Sequence, residues 1–142
     1  MTTLVAPRHS GLTRRDATIV VAVFALAVGL WALRWRGVDY PAQIYRVDLV
    51  RRHGLALWSA NWYGGHHTPG YGLVFPWVAS FTGLAVPAIA STVGSVLLLI
   101  RLLRRAQLPH VALGACVFAF LMLVNLYEGR LPFALGVLFG LF

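Results

Sequence analysis

Polar and apolar positions fall in long blocks along the 142-residue chain. A polar head, residues 1–16, carries Arg8, Arg14 and Arg15, and an uncharged run rich in Val, Ala and Leu follows from Ala17 to Leu33. At about 17 residues this run is just long enough to cross a bilayer as a helix. Residues 17–35 are therefore predicted as a first transmembrane helix. A cleaved signal peptide is the competing reading, and Thr13-Arg14-Arg15 hints at a twin-arginine signal. The run closes on Arg34, Trp35 and Arg36, where a cleavable signal shows small residues, and a retained anchor follows.

No Asp, Glu, Lys or Arg occurs from Gly54 to Ile100, but Gly64, Gly65, Pro69, Gly70, Gly72, Pro76 and Gly83 punctuate the first part of that stretch. Residues 36–83 accordingly read as a loop with short helices, over 40–53 and 73–82. Residues 84–103 make the second span, with Pro87 tolerated in the first turn. Arg104 and Arg105 open a connection over 104–110 that contains the breaker Pro109. A third span covers 111–127, a tight turn 128–130, and a fourth apolar run 131–142. That last run rises only about 18 Å as a helix. A hydrocarbon core is roughly 30 Å thick, so the sequence is expected to be the front piece of a longer polytopic protein. The fold class predicted is all-α, a polytopic transmembrane helical protein with interfacial helices in its first extracytoplasmic loop.

Composition agrees, with 59% hydrophobic and 11% charged residues against the roughly 25% charged of a soluble domain. The basic residues, all Arg, flank apolar runs, so the net charge of +8 points to topology and to lipid phosphates rather than to nucleic acid. The positive-inside rule puts the N-terminus and the 104–110 connection in the cytoplasm. As many arginines then fall outside, but Asp39 and Asp48 accompany several of them. All five Trp and four of the five Tyr lie between Trp31 and Trp77, as expected of a loop that stays in the headgroup layer.

Candidate chemistry collects in this loop. Asp39 follows the first span, and continued helix would place Asp39, Gln43, Arg46 and His53 on one face, a carboxylate, an amide, a guanidinium and an imidazole suited to an anionic group. The plainer alternative makes Asp39 an N-cap ahead of Pro41. Asp48 has Arg51 and Arg52 at i+3 and i+4, an ordinary helix pairing. His66 and His67 sit in the glycine-rich turn, able to donate to a phosphate or simply solvated. Spacing completes no zinc pattern, and no cofactor is expected, a divalent metal being unsupported. Glu128 and Arg130, on the same side as Asp39, are second-tier candidates. His110 and Cys116 read as structural, Cys116 as a packed small hydrophobe.

The order Gly37-Val38-Asp39-Tyr40, Gln43, Arg46, Gly54, Trp58, Trp62-Tyr63-Gly64-Gly65, Gly70-Tyr71 and Phe75-Pro76 resembles the first extracytoplasmic loop of the GT-C superfamily of polytopic glycosyltransferases and its uncharacterised bacterial relatives. The resemblance covers residues 17–103 as a pattern. It implies a multi-span inner-membrane protein with two interfacial helices after the first span. It further implies Asp39 as general base, a polyprenyl-phosphate sugar as donor, a glycan or lipid acceptor, and Arg46 or the histidine turn as holder of the lipid phosphate. Two departures stand out: Asp39 has no adjacent second acid, and the donor-binding remainder of such a fold lies outside these residues. The alternative is a non-enzymatic polytopic protein, a transporter half or a structural subunit. Transporters keep ionisable groups near the midplane or break their spans there, whereas these spans carry no Asp, Glu, Lys or Arg in their middles.

Overall fold

A computed structural model describes residues 11–55, 58, 59, 65, 68, 69 and 72–142. Its elements are α1 (Arg14–Ala32), α2 (Tyr40–His53), β1 (Trp58–Ser59), β2 (Thr68–Pro69), α3 (Val74–Thr82), α4 (Ala85–Arg105), α5 (Val111–Glu128) and α6 (Leu131–Leu141). The fold is all-α, and the β1–β2 pair is a two-residue antiparallel contact within the α2–α3 connection. Helices α1, α4 and α5, of 19, 21 and 18 residues, are long and apolar enough to cross a membrane, while α6 is a shorter apolar helix.

Packing confirms which solvent these helices need. Where they meet, the residues are small: Ala27, Ala88, Ala115 and Ala134 are fully buried, and α4 buries Ser91, Thr92 and Ser95. Many large apolar side chains turn outward, among them Phe24, Leu26, Leu113, Val117, Phe120 and Leu121, while Val96, Ile100 and Leu131 stay inside. Water would penalise that inverted arrangement, whereas lipid tails solvate the outer face and small interfacial residues let backbones approach. Gly94 faces α6 so closely that an added Cβ would meet Leu138 Cδ1 at 2.9 Å. Two of the buried α4 hydroxyls are satisfied within the helix, Ser91 and Thr92 donating to the carbonyls of Pro87 and Ala88 at 2.6 and 2.9 Å, while the buried Ser95 Oγ has no hydrogen-bond partner among the described residues. The protein is thus a multi-pass membrane protein.

Helix ends follow from local chemistry. Thr13 and Asp16 form a reciprocal capping box, so α1 starts at Arg14, three residues before the predicted span, although the chain remains polar there. At its other end α1 stops at Ala32 instead of 35, because Arg34 turns into the left-handed region at φ 56° and its amide bonds the Trp31 carbonyl at 3.2 Å. Glycine is the usual residue there, and an L side chain costs on the order of 1–2 kcal/mol. Helix α5 ends on a true glycine: Gly129, at φ 84°, bonds Leu126 O while the Arg130 amide bonds Asn125 O. Pro132, in the first turn of α6, then restarts the chain as a helix.

These turns give the bundle two chemically distinct ends. The N-terminus of α1, the C-terminus of α4 and the N-terminus of α5 share one end. There Arg104 grips the fully buried Asp16 with Nε and one terminal nitrogen, each at 3.1 Å. The opposite end carries the C-termini of α1 and α5, the N-termini of α4 and α6, and the two short helices α2 and α3. Cys116 departs from its expected packed position: it is exposed on α5, where a lipid-facing apolar side chain belongs.

Candidate functional site at the α1–α2 junction

The junction is built by backbone first. The Gly37 amide donates to Tyr127 O at 2.7 Å and the Asp39 amide to Glu128 O at 3.1 Å, so the link after α1 lies against the α5–α6 turn as a short ladder. Both strands of this contact need a glycine. A Cβ on Gly129 would meet the Tyr40 nitrogen at 2.6 Å. Arg36 completes the end of α1: its terminal nitrogens donate to Leu30 O at 3.4 Å and to Trp31 O at 3.1 Å, the latter a carbonyl that also accepts the Arg34 amide. The same guanidinium lies 4.2 Å from the Trp31 ring centre and 4.7 Å from that of Tyr40. A cation thus fills the gap between two aromatic faces at the negative end of a helix dipole.

Asp39 occupies the N-cap position of α2 but makes no capping hydrogen bond with its side chain. Its carboxylate instead pairs with Arg130 Nε at 3.4 Å, both side chains being about half exposed. The structure therefore brings Asp39 together with Arg130, and Glu128 stands beside them through its backbone. Gln43, one turn along α2, is buried with Val47, and its Oε1 has no hydrogen-bond partner. Arg46 shares this side of the helix and is half buried. His53 is on the same face but exposed at the last turn. Fourteen residues of helical rise separate it from Asp39 by about 21 Å, too far for one phosphate to engage both. Face-sharing therefore does not make a cluster of these four. His66 and His67 lie outside the described residues.

Asp48 pairs with Arg52 at 2.8 Å along α2. Arg51 instead leaves α2 to donate from Nε to Ser80 O at 3.1 Å, fastening α2 to α3. Two arrangements escaped the sequence reading: the Arg36 cradle, and the Asp16–Arg104 pair at the far end. For the second, the spacing Thr13-x-x-Asp16 signalled the capping box, but nothing local named Arg104 as partner. Among the described residues no group of three or more His, Cys, Asp and Glu side chains could hold a metal ion.

No protein-family model, curated protein or solved structure matches the chain.

Proposed function

We propose that the chain is the N-terminal part of a membrane glycosyltransferase of the GT-C kind, moving a sugar from a polyprenyl-phosphate donor to a glycan or lipid acceptor at the extracytoplasmic face of the inner membrane. The observation that carries this reading is the half-exposed Asp39 carboxylate, uninvolved in capping, at the membrane-boundary end of α1. Aromatic Trp31, Tyr40 and Trp77 surround that level of the bundle, the depth at which a lipid-linked sugar presents its phosphate.

In this mechanism Asp39 accepts the proton of the acceptor hydroxyl as the acceptor oxygen bonds to the sugar carbon. The bond from that carbon to the phosphate oxygen breaks, and its electron pair leaves with the polyprenyl phosphate. Arg130 holds the carboxylate in place, and either Arg46 or the histidine turn binds the departing phosphate. The N-terminus lies in the cytoplasm in this arrangement.

One observation favours a second reading, a non-enzymatic transporter half or structural subunit. The Gly37 and Asp39 amide bonds together with the Asp39–Arg130 pair also serve simply to fasten the loop to the α5–α6 turn. Sugar transfer by the purified full-length protein from a polyprenyl-phosphate sugar separates the two. Asp39→Asn retains shape and loses the proton acceptor, and turnover is expected to fall at least about a hundredfold, the scale of general-base catalysis. Undiminished turnover removes Asp39 from the mechanism.

A further inference from the structure

Helix α2 has a second polar side, distinct from the one that carries Asp39, Gln43 and Arg46. Tyr40, Ile44, Val47, Asp48 and Arg51 recur at helical spacing about a third of a turn away from it. With Trp31 of α1 and residues 83–85 at the start of α4, they line a cleft of about 470 Å³. Asp48 and Arg51 bring opposite charges to this lining but make no ion pair with each other. Both are held from outside the cleft: Arg51 Nε donates to Ser80 O at 3.1 Å, and Asp48 Oδ2 meets Arg52 at 2.8 Å. The Arg51 terminal nitrogens and Asp48 Oδ1 have no partner among the described residues.

The cleft continues along the membrane-spanning helices. Ala85 also lines a groove of about 470 Å³ between α1 and α4, walled by Phe24, Val28, Ile89 and Ala90 among others, with no charged or hydrogen-bonding side chain in it. From Ala85 to Gly94, wholly inside α4, the groove follows the helix for about 14 Å, the depth of one leaflet of a roughly 30 Å hydrocarbon core. Trp31 and Tyr40, in edge contact with ring centres 5.8 Å apart, stand in the cleft wall and mark the headgroup layer.

We infer that cleft and groove together bind one phosphatidylethanolamine molecule, its phosphate on the Arg51 guanidinium, its ammonium on Asp48 and one acyl chain between α1 and α4. Charge selects this occupant. A lipid with an anion alone, a polyprenyl phosphate included, leaves the Asp48 oxygen unpaired beside a phosphate. Phosphatidylcholine carries both charges, but its quaternary ammonium has no N–H to donate to the carboxylate. An apolar helix laid in the groove leaves both charged groups of the cleft unanswered. The inference uses none of the groups assigned to sugar transfer and stands independently of it.

The test uses the full-length protein, delipidated in detergent and titrated with dioleoylphosphatidylethanolamine while bound lipid is counted by native mass spectrometry. Dioleoylphosphatidylcholine, dioleoylphosphatidylglycerol and a polyprenyl phosphate serve as comparison probes. Wild type is expected to bind one phosphatidylethanolamine about tenfold more tightly than phosphatidylcholine, the scale of one hydrogen bond to a charged group. Asp48→Asn keeps the shape of a half-exposed side chain, so it is expected to lose that preference with an unchanged lipid-free melting temperature. Arg51→Gln is expected to weaken both lipids alike, since they share the phosphate. Ala90→Trp, which fills the groove and leaves both charges in place, is expected to abolish binding of either. Equal wild-type affinity for the two lipids, an undiminished preference in D48N, or unchanged binding by R51Q or A90W would overturn the inference. So would tighter binding of phosphatidylglycerol or of the polyprenyl phosphate, or a wild type that takes up no phospholipid because another helix occupies the groove.

Discussion

Gly37 lies so close against Glu128 that a Cβ added to it would sit 2.5 Å from the Glu128 Cα. Two backbones meet there with no side chain between them, and the Gly37 amide reaches Tyr127 O at 2.7 Å only because of it. The contact sets where Asp39 emerges relative to Arg130, two residues further along each strand.

Gly37→Ala is expected to separate these backbones and lower stability by about 1–3 kcal/mol, the cost of forcing extra volume into a filled contact. Gly129→Ala adds left-handed strain to a similar clash and is expected to cost more. Gly54→Ala is the control: at φ 73° it is strained, but its Cβ meets nothing within 4 Å. Melting temperatures in detergent should fall in the order G54A, G37A, G129A, and an equal fall for all three would remove the steric account.

The Asp39–Arg130 pair is expected to matter little for stability. Both groups are about half exposed and 3.4 Å apart, and such pairs contribute roughly 0–1 kcal/mol. Arg130→Ala should therefore leave the melting temperature nearly unchanged while reducing sugar transfer, if Arg130 positions the Asp39 carboxylate. A variant that melts several degrees lower with normal turnover per folded molecule would make the pair a fastening and nothing more.

The Asp16–Arg104 pair should behave in the opposite way. Asp16 is fully buried and Arg104 largely so, and removing one partner of a buried pair costs roughly 3–5 kcal/mol because the other charge is left uncompensated. Arg104→Ala is expected near the lower bound, since solvent still reaches part of that site. Arg104→Lys should recover only part of the loss, lacking the planar fork that meets both carboxylate oxygens. Replacing both residues together should cost less than the two single losses summed, measured by unfolding in mixed micelles.

How far the fold was legible depends on whether a signal was local. Helix α2 appears at 40–53 as expected, because Pro41 fits only a first turn and Gly54 ends the helix at φ 73°. Helix α1 was displaced by three residues, since hydropathy locates immersion whereas the Thr13–Asp16 box and the Arg34 turn locate the helix itself. Helix periodicity put His53 on the Asp39 face, but it carries no information on distance along the axis. The Asp16–Arg104 pair spans 88 positions and has no local signature at either residue. Arg36 illustrates the same limit over a short range: its neighbours Trp31 and Tyr40 were visible as belt aromatics, yet their closure around a cation depends on the turn between them.

Sidedness is the last expectation with a direct measurement. Helices α1 and α4 are joined through α2 and α3, so Val38 lies beyond the C-terminus of α1, whereas Leu12 and Leu108 lie at the opposite end of the bundle. All three are exposed, Val38 at 83%, Leu108 at 50% and Leu12 at 46%, so each is reachable by a thiol reagent. In a background with Cys116 replaced by Ser, single cysteines at these positions are treated with an impermeant maleimide in intact cells and in inverted vesicles. The end that carries Arg14, Arg15, Arg104 and Arg105 is expected to face the cytoplasm, so V38C should label from outside, and L12C and L108C only in inverted vesicles. Labelling of all three from one side would mean that neither α1 nor α4 crosses. The reverse pattern would preserve both crossings but place Asp39 in the cytoplasm, where an extracytoplasmic sugar donor has no access to it.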